Sequence, residues 1–200
     1  MEFNLADVND AVSAAIPDRE CIVWRDRRLS YRDVAQRTNQ LANHLIAAGL
    51  GSHRDRSSLA GHESGQDHLA CYLHNGNEYI EAMLGAYKAR VAPFNVNYRY
   101  VAEELRYLLT DAEARAIVFH SAFADRLAEV LPDLPALRVL LQVDDGSGAP
   151  LLPGAQWYEA ALAAASTEPP SIERSPDDLY ILYTGGTPLG MPVVPPVYRM

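Results

Sequence analysis

Cysteine is scarce in this sequence, with two residues in 200. Cys21 and Cys71 lack the paired spacing of zinc ligands, and two thiols cannot build the disulfide framework of a small secreted domain. The sequence also has no run of about 18 consecutive apolar residues, the length that a membrane-spanning helix requires. We therefore predict two buried or half-buried reduced thiols, no structural metal and no membrane span.

Basic charge is also low, with 17 Lys and Arg against 26 Asp and Glu and a net charge of −9. Nucleic acids and anionic membranes attract basic surfaces, so neither is an expected partner. The first residues, 1–7, contain neither the basic region nor the apolar region of a secretory signal, and we expect a cytoplasmic protein. The 48% hydrophobic content is enough to bury the core of a domain.

The segment 51–68 is polar and rich in glycine. It contains His62, Glu63, Asp67 and His68, which are residue types that bind metal ions. Their spacing differs from the H-E-x-x-H pattern, and no apolar helix carries them. We predict a solvated loop here and no metal site.

The N-terminal part of the sequence predicts a helix, a hairpin and a second helix. A helical candidate over 4–15 is ended by Pro17, and residues 21–31 read as a hairpin with a charged turn. Ser30, with Asp33 three residues later, resembles a capping box. The helix that follows is expected to end at Gly49.

From residue 69 onward, predicted strands and helices alternate. The expected strands cover 69–73, 91–96, 115–119 and 138–143, and the expected helices cover 78–90, 101–110 and 122–131. Proline at position 93 is expected to interrupt the second strand. This alternation predicts an α/β fold with mostly parallel strands joined by helical crossovers.

A short apolar run, residues 179–183, leads into a segment rich in glycine and threonine. Glycines allow main-chain N–H groups to approach a polyphosphate closely, and threonine hydroxyls add donors without bulk. We predict that this segment is a phosphate-binding loop. Its candidate binding residues are Thr184, Gly185, Gly186, Thr187 and Gly190.

The spacing of these glycines is compatible with two kinds of nucleotide-binding loop. Gly185 and Gly190 have the spacing of a Walker A loop, but Met191 and Pro192 occupy the positions where that loop has Lys and Ser or Thr. The lysine that would reach the phosphates is missing. A Walker A protein is therefore rejected.

Residues 183–192 resemble instead the Tyr-Thr-(Ser/Gly)-Gly-Thr-Thr-Gly-x-Pro-Lys-Gly loop of the AMP-forming adenylating enzymes, the acyl-CoA synthetase superfamily. Residues 75–90 and 91–107 are similar to a helix, strand and helix of the fatty acyl-CoA synthetases. The resemblance implies the N-terminal domain of the adenylating-enzyme fold. It also implies ATP, magnesium and coenzyme A as cofactors, and a fatty or other carboxylic acid as substrate.

The sequence departs from the family pattern at two places in the loop. Pro188 and Leu189 replace one Thr, and Val193 and Val194 replace Lys-Gly. We therefore predict a truncated N-terminal AMP-binding domain over 1–192, a tail unlike the family over 193–200, and no C-terminal domain. The expected function is an acyl-CoA ligase by family, inactive as this chain and without a catalytic residue of its own. The alternative is a non-enzymatic remnant or partner-binding fragment.

Overall fold

The computed structural model of the chain describes residues 4–61 and 63–183, together with the backbone of residues 197–199. The strands are Glu20–Trp24 (β1), Arg27–Ser30 (β2), His68–Tyr72 (β3), Ala92–Asn95 (β4), Ala114–His120 (β5), Val139–Val143 (β6), Gln156–Trp157 (β7), Leu179–Ile181 (β8) and Val197–Arg199 (β9). The helices are Leu5–Ala15 (α1), Tyr31–Ala47 (α2), Asn77–Lys88 (α3), Ala102–Asp111 (α4), Ala124–Val130 (α5) and Tyr158–Ala163 (α6).

The central sheet has the strand order β7-β6-β5-β3-β4-β8-β9. The six strands from β7 to β8 are parallel, and β9 runs antiparallel to β8. Strands β1 and β2 form a separate antiparallel hairpin. The predicted α/β fold with mostly parallel strands is confirmed.

Helices cover both faces of the sheet, and each face has its own apolar core. Helices α4 and α5 pack on one face, where Leu105, Leu109 and Leu127 are fully buried. Helices α2, α3 and α6 pack on the other face. Because both faces are covered, the central strands β3, β5 and β6 are almost entirely buried and mostly apolar, as expected for a parallel sheet.

The two N-terminal helices begin with capping boxes. The Ser30 side chain accepts a hydrogen bond from the backbone N–H of Asp33, and the Asp33 carboxylate accepts one from the backbone N–H of Ser30. Asn4 and Asp7 make the same reciprocal pair at the start of α1. Helix α2 ends before Gly49, which adopts a left-handed φ of 76°. The predicted capping box and helix end are confirmed.

The prediction that Pro93 would interrupt a strand is wrong. Pro93 lies inside β4 and does not interrupt it, since β4 pairs with β3 at four consecutive positions. Strand β8 pairs with β4 only at Phe94, so the ladder on that side does not need the N–H that proline lacks.

The prediction of a solvated loop over residues 51–68 is wrong at the end of this segment, where the chain is buried. Asp67 and His68 are both 8% exposed, and His68 is the first residue of β3. Asp67 accepts a hydrogen bond from the backbone N–H of Gly51 and lies 2.6 Å from Nε2 of His53. His62 lies outside the described residues.

Candidate functional site

The predicted phosphate-binding residues Thr184, Gly185, Gly186, Thr187 and Gly190 lie outside the described residues. Their assignment therefore stays a prediction. The structure does describe the strand that leads into them, β8, and the residues that hold this strand at both ends.

At its carboxyl end, β8 is fixed to the neighbouring strand and to helix α4. The Asn95 side chain donates a 2.8 Å hydrogen bond to the hydroxyl oxygen of Tyr180. The Tyr183 ring packs against Phe94 with a centroid distance of 6.3 Å, and its hydroxyl donates a 2.7 Å hydrogen bond to the Asp111 carboxylate. Burial and the Asp111 carboxylate raise the pKa of Tyr183, so this hydroxyl keeps its proton. Tyr183, two residues after the end of β8, is thus held in a fixed position.

At its amino end, β8 is anchored by the buried carboxylate of Asp178, whose side chain is 1% exposed. Nε of Arg90 lies 3.0 Å from Oδ1 of Asp178. Asn4 and the backbone N–H of Ser175 also donate to this carboxylate. Three donors therefore compensate one buried negative charge, which is the condition for tolerating it.

Gln66 adds a second link at the same end. Its side-chain oxygen accepts a 2.8 Å hydrogen bond from the backbone N–H of Leu179, and its nitrogen donates to the backbone oxygen of Arg90. The first residue of β8 is therefore bonded through a side chain to the loop before β3.

Helix α1 is held to the same region by charge. Arg174 lies 2.9 Å from Asp7 and 2.7 Å from Asp10. Asp10 also pairs at 2.7 Å with Lys88, whose side chain is fully buried and donates to Asn39. Burial lowers the pKa of Lys88, and the hydrogen bond with Asp10 opposes that shift.

Lys88 is the only lysine in the sequence. Because its ammonium group is enclosed between helices α1, α2 and α3, it is not free to replace the missing loop lysine.

A second buried charge network lies between α2, α3 and α6. Glu81 is fully buried and accepts hydrogen bonds from Arg37, Asn77 and the Tyr158 hydroxyl. Arg37 also contacts Glu159 at 2.7 Å. Burial opposes ionisation of Glu159, but the hydrogen bond and charge of Arg37 outweigh it and lower the pKa of this carboxyl. This network holds helices α2, α3 and α6 together.

The polar residues Asn95 and Asn97, at and after the end of β4, have different roles. The Asn97 side chain accepts a 3.0 Å hydrogen bond from the backbone N–H of Arg99, which closes a turn. Asn95 differs, because its side chain reaches the neighbouring strand at Tyr180.

Both cysteines are free thiols, as predicted, with Cys71 buried and Cys21 half-buried. Burial raises the pKa of Cys71 to about 12, so its thiol stays protonated at neutral pH. Among the described residues, no cluster of three or more His, Cys, Asp and Glu side chains is placed to hold a metal ion. No helix within the described ranges has the length and apolar character to cross a membrane.

Comparison with known proteins places this chain among the adenylating enzymes. The family described as AMP-binding enzyme matches residues 10–188. The medium-chain acyl-CoA ligase Mig of Mycobacterium avium is 60% identical over 190 residues, which is 95% of this chain and 34% of that protein. A medium/long-chain-fatty-acid and 3-oxocholest-4-en-26-oate CoA ligase of Mycobacterium tuberculosis is 39% identical over 187 residues, covering 92% of this chain and 32% of its own length.

Solved structures agree at the level of the fold. The anthranilate CoA ligase AuaEII, in complex with anthranoyl-AMP, superposes with a TM-score of 0.79 at 18% identity, covering 94% of this chain and 33% of that one. A putative long-chain-fatty-acid CoA ligase from Rhodopseudomonas palustris has a TM-score of 0.73 at 27% identity, with coverage of 92% and 42%.

The chain spans about a third of the length of the curated relatives it matches. Its parallel sheet matches the N-terminal domain of adenylating enzymes. Since the family match extends over nearly the whole sequence, this chain belongs to the AMP-binding enzyme family.

Proposed function

We propose that this chain is the nucleotide-binding part of a fatty acyl-CoA ligase. The observation that carries the proposal is the 60% identity to a medium-chain acyl-CoA ligase over 95% of the chain. In the reaction of this family, a carboxylate oxygen attacks the α-phosphorus of ATP and pyrophosphate leaves. The resulting acyl-AMP then passes its acyl group to the thiol of coenzyme A, and AMP is released. A medium-chain fatty acid is the proposed substrate.

In this proposal the ATP phosphates bind at the loop that follows β8. Backbone N–H groups at Gly185, Gly186 and Gly190 would hold the phosphate oxygens, and the hydroxyls of Thr184 and Thr187 would donate further hydrogen bonds. Donors fixed in advance stabilise developing charge without reorganising. The anchoring of β8 at Asp178 and Tyr183 supports this role, because it fixes the point from which the loop departs.

The same proposal assigns no catalytic residue to this chain. Val193 stands where the family has a lysine, and Lys88 is buried elsewhere. Losing one charge-stabilising donor costs about 3–4 kcal/mol at a charged transition state. Magnesium would supply further charge stabilisation on the phosphates when bound. We therefore propose that residues 1–192 form an AMP-binding domain that binds ATP and does not adenylate by itself.

Calorimetric titration of the purified chain with ATP and magnesium tests this proposal. We expect saturable binding that weakens about tenfold in a Thr184→Val, Thr187→Val double variant, because two hydroxyl donors are lost. The matched control is Thr167→Val, which removes a hydroxyl from an exposed position outside the loop. No binding by the folded chain would contradict the proposal and favour a non-enzymatic, partner-binding fragment.

A further inference from the structure

The segment before β3 leads to a buried histidine that the proposed function does not use. His68 is 8% exposed and lies at the amino end of β3, whereas the proposed ATP-binding loop follows the carboxyl end of β8. Because the strands from β3 to β8 are parallel, these two places lie at opposite edges of the sheet. Histidine is the commonest general base in proteins, so the partners of its ring nitrogens decide what it can do.

The partner of Nδ1 fixes the tautomer of His68. Nδ1 contacts the backbone oxygen of Ala112, at the end of α4, and a carbonyl oxygen can only accept a hydrogen bond. In the neutral ring the proton is therefore on Nδ1, and Nε2 presents a lone pair. Burial lowers the pKa of His68 by more than the Ala112 hydrogen bond raises it, so the ring is neutral at physiological pH.

The lone pair of Nε2 faces the hydroxyl of Ser64. Oγ of Ser64 lies 2.8 Å from Nε2 of His68, and because this nitrogen carries no proton, the hydroxyl is the donor. The backbone oxygen of Gln66 is a second acceptor for the same hydroxyl, but it is more distant, at 3.3 Å. A serine hydroxyl, a neutral imidazole and a group that orients the imidazole are the parts of an activated nucleophile.

The loop that carries Ser64 is fixed against the segment before it. The backbone oxygen of Gly65 accepts hydrogen bonds from the backbone N–H groups of His53 and Arg54. A Cβ atom at Gly65 would lie 2.3 Å from the backbone oxygen of Arg54, so only glycine allows this close approach. Ser64 is therefore held in place beside His68. Because Ser64 is only half-buried, a small molecule can reach it.

A positive charge lies next to this loop. The Arg56 guanidinium donates a 2.6 Å hydrogen bond to the backbone oxygen of Glu63, the residue before Ser64, and a 3.0 Å hydrogen bond to that of Ala60. These acceptors are neutral carbonyls and do not cancel the charge. The Glu63 carboxylate lies 3.7 Å from Arg54 and accepts a hydrogen bond from the backbone N–H of Ala60. A fixed cation near a nucleophile stabilises the negative charge that develops on an attacked carbonyl oxygen.

We propose that Ser64 is a nucleophile that accepts the acyl group of an activated ester, with His68 as its general base. Oγ of Ser64 attacks the carbonyl carbon and forms the new C–O bond, and its proton passes to Nε2 of His68. The bond from the carbonyl carbon to the leaving oxygen then breaks. Its electron pair stays with that oxygen, which takes the proton from Nε2. The products are an ester of Ser64 and a free alcohol or phenol, and the step does not need the proposed ATP-binding loop.

Acetylation of the full chain by p-nitrophenyl acetate, located by peptide mass spectrometry, tests this inference. We expect an acetyl ester at Ser64 that is absent in Ser64→Ala. Ser58 is the matched internal control, since it is exposed in the same segment and donates its hydroxyl to the backbone oxygen of Asp55, which is not a base. Ser64 should react about a hundredfold faster than Ser58, because general-base assistance supplies at least this factor. His68→Gln should reduce the rate at Ser64 to that at Ser58.

The pH dependence of acetylation tests the role of His68 in the unaltered chain, so the test does not depend on the folding of the His68→Gln variant. Burial keeps the pKa of His68 below its ordinary value of 6.5, against smaller effects of the charges of Glu113, Asp67 and Arg115. We therefore expect a rate at Ser64 that is constant from neutral to mildly alkaline pH, because the base is already unprotonated there.

Three results would overturn the inference. The first is equal acetylation of Ser64 and Ser58, or no acetyl ester at Ser64. The second is an unchanged rate at Ser64 in the folded His68→Gln variant, which would leave the histidine a structural contact only. The third is a rate in the unaltered chain that rises about tenfold with each unit of pH, because this indicates attack by a serine without a base.

Discussion

Arg90 pairs with the buried carboxylate of Asp178, with Nε of Arg90 3.0 Å from Oδ1 of Asp178. The pair joins the end of helix α3 to the residue that precedes β8. Arg90 has a left-handed φ of 55°, so its position depends on both the backbone turn and the charge. This contact sets the start of the strand that leads to the predicted phosphate loop.

Replacing Arg90 with alanine should destabilise the fold by about 3 kcal/mol, because the buried carboxylate loses its cation. The variant Arg90→Gly separates the effect of losing the ion pair from the effect of backbone strain, since glycine adopts a left-handed φ without strain. We expect Arg90→Gly to lose somewhat less stability than Arg90→Ala. Urea unfolding measures both, with Arg28→Ala as a nearly neutral control because its pair with Glu20 is exposed. Equal stability of Arg90→Ala and Arg28→Ala would show that the buried pair does not anchor β8.

Glu81→Gln should destabilise the chain by about 3 kcal/mol, because Glu81 is fully buried and compensates Arg37. Glu159 contacts the same arginine, but its side chain is 56% exposed. Glu159→Gln should therefore cost less than about 1 kcal/mol. Thermal unfolding of the two variants side by side checks the contrast. A larger loss of stability in Glu159→Gln than in Glu81→Gln would mean that burial does not determine how much each carboxylate contributes.

Ser30→Ala should destabilise helix α2 by about 1 kcal/mol through loss of the N-cap. The variant should also change how the free energy of unfolding depends on pH in acid. Hydrogen bonds from the Ser30 side chain and backbone lower the pKa of Asp33 below its ordinary value of 3.8. The contribution of these hydrogen bonds to stability is therefore complete at pH values above the ordinary pKa of Asp33. It is lost as pH falls through the lower pKa that Asp33 has in the folded chain.

Unfolding free energies measured between neutral pH and strong acid test this pH dependence. The native chain should lose stability more steeply than Ser30→Ala below the ordinary pKa of Asp33. Parallel curves would contradict the assigned role of the capping box.

Tyr183→Phe should cost about 1 kcal/mol, because it removes the hydrogen bond to Asp111. Tyr107→Phe is the matched control, since Tyr107 is 51% exposed. Hydrogen exchange at the amides of β8 should increase in Tyr183→Phe alone. Unchanged protection of Tyr180 and Ile181 would show that this bond does not hold the end of the strand.

The sequence predicted the features that depend on neighbouring residues. The capping box of Ser30 and Asp33 lies within four residues, and the end of α2 depends on Gly49 alone. The parallel sheet was predicted because each strand and helix carries its own apolar pattern. The family was predicted from the loop that follows β8.

The buried charges were not predicted, because their partners are distant in the chain. Asn4 and Asp178 are 174 positions apart, and Arg37 and Glu81 are 44 apart. Nothing in the local pattern around Glu81 distinguishes it from an exposed helix residue. The burial of Asp67 and His68 was missed for the same reason, since it depends on the position of β3 between β4 and β5.

We propose that this chain holds an ATP-binding loop without the lysine that adenylation needs. Carboxylate-dependent exchange between ATP and pyrophosphate, measured on the purified chain with magnesium and medium-chain fatty acids, tests it most directly. We expect no exchange above a heat-denatured control, even though ATP binds. Exchange above that control, and lost in the Thr184→Val, Thr187→Val variant, would contradict it, because the loop would then support adenylation without its lysine.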